Sequence, residues 1–312
     1  MNLALAKELI TRLLAGAAVL WAAASLAFIV LQLLPSDPVQ VIYGADSTVT
    51  PEMRDRIRAD FGLDQPLWQQ YAGFVSRTVT GDLGTSYQQR RTVVSIITSE
   101  LGSTITLASL AVLLAFSMAV LATLATAGRD NWLRRVISSL ELVSVSTPAF
   151  WIGLLLLTFF SFQWPIFPVV GDQGWKSLVL PVATLGIALF GTLSQVMRNE
   201  MDQALEQPFA LTARTRGLSL WAVRWRHALR HALIPALTIA AETFGALLAG
   251  AIITEQVFGR PGLGRITLQA VRNQDIPVVL GVVLFSAFIF VTINIIVDLL
   301  YRVVDPRLRA RA

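Results

Sequence analysis

The chain has 312 residues, of which 54% are hydrophobic and 14% charged, against about 25% charged in an average soluble domain. With a mean hydropathy of +0.63, its solvent is a bilayer rather than water. The formal charge of +5 and pI near 10.2 do not call for nucleic acid, because arginines of a polytopic protein gather on cytoplasmic loops and orient the chain. The absence of cysteine excludes disulfides, thiolate metal sites and a cysteine nucleophile.

A hydrocarbon core about 30 Å thick requires roughly 20 apolar residues in helical form. Lipid offers no partner to open backbone groups, so runs of that length must be helices. Six are present: 13–34, behind Lys7 and Arg12; the run between Glu100 and Arg129; the run that follows Glu141 as far as Trp164; 177–197, containing Pro181; 232–254, with one acid, Glu242; and 276–301, with Asp298 near its end. The expected fold is all-α, a polytopic membrane protein with six transmembrane helices. The first run has the charged start of a signal peptide but is too long and lacks a small-residue cleavage site, so it reads as a retained anchor. Residues 1–34 then form the N-terminus and first helix, 35–100 an external region, and 101–312 a core of five helices.

Arginine and lysine in short loops favour the cytoplasm. Arg129, Arg134 and Arg135 share one loop; Arg198, Arg214, Arg216, Arg224, Arg226 and Arg230 share another; Arg302, Arg307, Arg309 and Arg311 lie in the tail. Six alternating helices put all three on one side with the N-terminus, so both termini are expected in the cytoplasm. The outer side receives 35–100, 165–176 and 255–275. The first holds six arginines against eight acids and is too long for a simple turn. Its stretches 51–58 and 68–77 read as short helices, giving a small external cap between helices 1 and 2.

The cytoplasmic loop 198–232 is polar yet carries the marks of folding. Gln207-Pro208 starts a helix with proline at its first position, and Gly217 is a natural stop. Ala213 and Gly217 stand four apart, leaving a nearly bare face for close packing, and Phe209 supplies an aromatic knob. Ser219 caps a second helix in which Trp221, Trp225 and Ala228 form an apolar stripe and Arg224, His227 and Arg230 a basic one, the pattern of a helix lying on a membrane surface. A two-turn helix is marginal alone, so a soluble cytoplasmic partner is implied.

Ala213-Arg214-Thr215-Arg216-Gly217-Leu218 followed by His227-Ala228-Leu229-Arg230-His231-Ala232-Leu233-Ile234-Pro235 resembles the coupling-loop signature of ABC importer permeases, in particular the dipeptide, oligopeptide and nickel branch. Leu33-Leu34-Pro35-Ser36-Asp37-Pro38, Phe61-Gly62-Leu63-Asp64-Gln65-Pro66-Leu67, Gly81-Asp82-Leu83-Gly84-Thr85-Ser86, Pro148-Ala149-Phe150-Trp151, Val257-Phe258-Gly259-Arg260-Pro261-Gly262-Leu263-Gly264 and Asp305-Pro306-Arg307 match the same branch in order. The resemblance implies a type I permease fold in a bacterial inner membrane. It implies a second similar permease, two cytoplasmic ATPase subunits that bind ATP and Mg, an external solute-binding protein, and di- or oligopeptides as solutes, with nickel or opine-type metal chelates as the alternative. It assigns ATPase coupling to Glu206, Phe209, Ala213, Arg214, Arg216 and Gly217, and an external gate loop to Glu255, Pro261, Gly262 and Gly264. No cofactor is expected in this chain, since it has no Gly-x-x-x-x-Gly-Lys-Ser/Thr run.

Glu242 lies inside a span, where a carboxylate is costly unless it faces protein or water. The branch more often has glutamine there, so Glu242 either lines a path that favours cationic or metal-bearing solutes or bonds the partner permease. Glu141 and Asp298 lie near span ends, where the membrane interface or pairing with arginine accounts for them; Asp298 and Arg302 stand four apart on one helix. His227 and His231 have ligand spacing, but no acid completes a metal site. One acid per span, without a zinc-type histidine motif or Gly-x-Ser-x-Gly, leaves no catalytic residues and argues against an intramembrane hydrolase. A secondary transporter would carry inverted repeats, and none is visible.

Overall fold

The computed structural model describes residues 3–33, 65–172 and 174–304. In chain order its helices are α1 (Leu3–Leu33), α2 (Leu67–Val79), α3 (Val93–Thr126), α4 (Trp132–Ser146), α5 (Ala149–Leu157, continued by a π turn, Thr158–Gln163), α6 (Lys176–Glu206), α7 (Pro208–Thr215), α8 (Leu220–Val223, continued by a π turn, Arg224–Ala228), α9 (Leu229–Gly250), α10 (Ile252–Val257), α11 (Leu263–Arg272) and α12 (Ile276–Val304). The 51–58 stretch, the sequence motifs at 34–38, 61–64 and 305–307, and the side chains of Asp298 and Arg302 lie outside the described residues.

Among the described residues five helices or helix runs are long and apolar enough to cross a membrane: Ile10–Val30, Val93–Thr126, Lys176–Glu206, Leu220–Ala249 and Ile276–Val297. The expected third span, from after Glu141 to Trp164, is not one helix. α4 and α5 meet at an angle of 105°, because Pro148 pushes the residue before it out of the helical region and Thr147 is extended at φ −98° and ψ 125°. Counted as one broken span, the pair brings the total to six. The fifth span also ends early, at Ala251, where ψ swings to 47° before α10 begins.

The chain forms two compact units, residues 1–102 with 262–295 and residues 103–261 with 296–312. In the first, α2 lies against the second half of α1: the Ser25 and Tyr71 hydroxyls are 2.7 Å apart, and the Phe28 ring meets Tyr71 edge-on at 5.3 Å. This is the expected 68–77 helix. Val93, Ile96 and Ile97 of α3 pack with Leu263 and Ile266 of α11 and Val278 and Val282 of α12. The turn between α11 and α12 is held by Asp275, which is buried and accepts hydrogen bonds from the Ser86 hydroxyl and the Tyr87 backbone N–H. Burial, and after it the Asp275 carboxylate, raises the Tyr87 phenol above its ordinary value.

In the second unit α6 is the central helix, packed on α4, α5 and α9. Small residues let α4 approach it closely. The Ser144 hydroxyl donates to the Ile187 carbonyl and accepts from the Gly191 N–H at 3.2 Å, inserting itself into one rung of α6. A Cβ at Gly191 would stand 2.5 Å from the Glu141 carbonyl oxygen. Gly191→Val should therefore force α4 off α6 and cost about 1–3 kcal/mol, read as a lowered melting temperature of the detergent-solubilised chain; an unchanged melt would refute the close crossing.

One turn further along α6 the contact is ionic. Glu141 is fully buried and paired with Arg198, Nη1 to Oε1 at 2.8 Å and Nη2 to Oε2 at 2.5 Å, and it accepts the Ser194 hydroxyl at 2.5 Å. The expected pairing of Glu141 with an arginine is found, although in the interior of α4 rather than at the start of a span.

Candidate functional site

The short helix expected between Pro208 and Gly217 is present as α7, with Pro208 at its first position and Gly217 just beyond its end at φ +86°, a left-handed conformation that glycine adopts without strain. The Gly217 N–H bonds the Arg214 carbonyl and the Leu218 N–H the Ala213 carbonyl, closing the helix. Ala210 and Ala213 face inward, packed with Val223, Leu205, Phe209 and Leu218. The small-residue face is thus the one on which α7 rests against its own chain. Phe209 also turns inward and stacks on the His231 ring, centroids 5.3 Å apart at 23°.

The opposite side of α7 is open. Leu211 is 63% exposed; Glu206, Gln207, Arg214, Arg216 and Gly217 are exposed with it, and beyond its chain neighbours no atom of the described residues lies within 4 Å of a Cβ built on Gly217. Leu211 is thus an apolar tip among polar residues on the open side of a short helix whose other side packs on its own chain.

Beyond Ser219, whose side chain accepts from the Ala222 N–H as expected, Arg224 departs from the expected basic stripe, while Arg230 stays exposed on it. Trp221 and Trp225 are exposed, at 52% and 56%, while Arg224 is fully buried. The π turn Arg224–Ala228 carries the chain directly into α9, so this segment is the start of a span and not a separate surface helix. Tryptophans facing outward at such a place suit the membrane–water boundary. Arg224 finds an acceptor inside, the Leu124 carbonyl in the last turn of α3, at 3.1 Å.

Glu242 is exposed on α9, as is Ala246 one turn later. Its carboxylate thus points away from the core of its own unit. Of the expected external loop, Glu255 is fully buried in α10 and accepts from the Thr104 hydroxyl at 2.9 Å, while Gly262 and Gly264 open α11.

Sequence reasoning missed Arg260, which organises this loop. Buried, it pairs with Asp172 at 2.7 Å, bonds the Ser177 hydroxyl at 3.2 Å and reaches the Ser177 carbonyl at 3.5 Å. Pro181, four residues on, has no N–H to offer that carbonyl, so the arginine replaces a missing helix bond. Its place in the middle of the Val257-to-Gly264 motif was the available signal.

Comparison with known proteins adds to this geometry. Residues 5–108 match the family described as binding-protein-dependent transport system membrane component, N-terminal, and residues 111–310 the binding-protein-dependent transport system inner membrane component. A putative peptide transport system permease protein of Brucella abortus (strain 2308) is 38% identical over 295 residues, covering 92% of this chain and 93% of its own. The glutathione transport system permease protein GsiC of Escherichia coli O6:H1 is 35% identical over 302 residues, 96% of this chain and 98% of its own. Among solved structures, one titled as an amino acid ABC transporter with histidines matches with a TM-score of 0.53 at 21% identity, over 67% of this chain and 94% of that one; it is a likeness of fold.

Proposed function

The chain belongs to the binding-protein-dependent transport system inner membrane components and is a multi-pass permease of a bacterial ABC importer, not itself an enzyme, and from that premise we propose that it carries di- or oligopeptides inward. The observation that carries the peptide reading is the near full-length similarity to permeases named for peptide and glutathione transport. The complex contains a second permease of the same kind, two cytoplasmic ATPase subunits holding ATP and Mg, and an external binding protein. Both termini are cytoplasmic, and α7 is the knob that seats an ATPase subunit. Neither ATP nor another cofactor is held by this chain.

The mechanism follows from a rigid knob at the end of long helices. ATP-driven closure of the ATPase pair pushes on α7, and the inward-facing alanines transmit the push to the helices of the second unit. Charge and apolar contact at the knob matter for docking and not for the fold, since those side chains touch solvent in the free chain. Uptake of labelled glutathione and short peptides by the assembled complex in vesicles, driven by internal ATP, tests the reading. Uptake of nickel chelates with none of peptides would overturn it.

Glu242 is assigned to the translocation path, supported by its exposure on a membrane helix. Glu242→Gln keeps volume and hydrogen bonding but removes the charge, so uptake of cationic relative to neutral peptides should fall, by up to about fivefold. An unchanged ratio in an intact complex would move Glu242 to the contact with the second permease.

A further inference from the structure

We propose that Arg224 is a positioning residue of the transport cycle: a buried strut that ties the coupling loop to the cytoplasmic end of α3 and carries the displacement of α7 into that helix. The proposal rests on the reading of α7 as the ATPase-seating element.

The end of α3 is where several elements of the second unit meet. Two of its last carbonyls are capped by arginines: Arg129 Nη1 donates to the Ala125 carbonyl at 3.2 Å and Arg224 Nη1 to that of Leu124 at 3.1 Å, while in the loop beyond, Arg134 Nη1 donates to the Arg129 carbonyl at 3.1 Å. Gly128, in the left-handed region at φ +63°, donates its N–H to Asp202 of α6 at 2.6 Å, and Asp202 also holds Arg134 at 2.9 Å. Cations at a helix C-terminus oppose the negative end of its dipole. Arg129 does so from the adjoining loop; among the described residues Arg224 does so from the coupling loop.

Three observations set Arg224 apart from a charge that only orients the chain. It is completely buried, whereas the arginine two residues on is exposed. It sits at the first residue of a π turn, an irregularity that often marks a functional position. Its Nε and Nη2 are buried and have no acceptor among the described residues, although Nη2 stands 3.9 Å from the position of a Gly128 Cβ, on the glycine that Asp202 grips. A guanidinium using one of its three nitrogens is costly for stability. Such a group is retained for what it does in another arrangement of the same parts. A shift of the coupling loop relative to α3 brings the spare donors to Asp202 or to further carbonyls of the last turn, so the strut has two bonded positions, one for each end of the stroke.

The test separates work in the cycle from support of the fold. Arg224→Met keeps length and removes the buried cation, so the assembled complex should melt no lower than the unaltered one. ATPase subunits should still copurify, because the exposed face of α7 is untouched, while peptide taken up per ATP hydrolysed falls roughly tenfold. Arg224→Gln retains a donor for the Leu124 carbonyl and should stay within about threefold of the unaltered ratio. An unchanged ratio for Arg224→Met in an assembled complex overturns the proposal, and so does loss of assembly in both variants, which would make Arg224 part of the fold alone. If the unaltered chain retains no ATPase subunit, it is the reading of α7 that fails.

Discussion

Arg198→Met is expected to destabilise the chain by about 3–5 kcal/mol, because it strands a carboxylate in the interior. Glu141 has no exposed surface, and without Arg198 only the Ser194 hydroxyl remains to it of the partners described. The loss should appear as a melting temperature lower by roughly 10 °C in detergent. Removing both charges is a different matter, since a pair buried between helices is offset by the desolvation it requires. Glu141→Leu with Arg198→Met should recover most of the stability. If the single and double variants melt alike, the pair is not the link between α4 and α6.

Leu211→Asp is expected to abolish ATP-driven uptake while leaving the chain inserted and its melting temperature unchanged. Leu211 is the exposed apolar tip of α7, and nothing in the chain's own core depends on it. At a docking surface, loss of a buried anchor weakens association by about 2–4 kcal/mol, roughly 30- to 1000-fold, and a carboxylate buried without a partner adds to the loss. Leu211→Met keeps volume and apolarity and should retain uptake. Copurification of ATPase subunits with the tagged chain is the direct readout. Undiminished recovery with Leu211→Asp would show that the subunit seats elsewhere.

The spans were legible because lipid leaves apolar segments no alternative to helix, and the two-turn α7 because proline and glycine mark its ends. Less legible was whatever depends on which way a residue faces. Pro148 sits in an apolar run that hydropathy reads as continuous, yet its ring breaks that run by 105°. The alternation of tryptophans and arginines after Ser219 reads correctly as amphipathic, but Arg224 leaves the basic stripe for the interior. At the membrane boundary tryptophan gains by facing outward, and an arginine gains inside where a helix presents free carbonyls. The Asp275 and Arg260 anchors escaped for a related reason. Each acts on partners far away in sequence, Asp275 on residues near 86 and Arg260 on Asp172 and Ser177, and no local period announces such pairs. The bare face of Ala213 was visible in the sequence as a contact surface. That it is occupied by Val223 of the same chain, leaving Leu211 as the outward tip, required the fold.

The central claim, that α7 couples peptide import to ATP hydrolysis in partner subunits, is tested most directly by uptake in proteoliposomes containing the complete complex. The chain should import peptide only when its ATPase subunits, the external binding protein and ATP are all present, and the Leu211→Asp complex should import none. Peptide uptake driven by a proton gradient without ATP, or undiminished by Leu211→Asp, would contradict it.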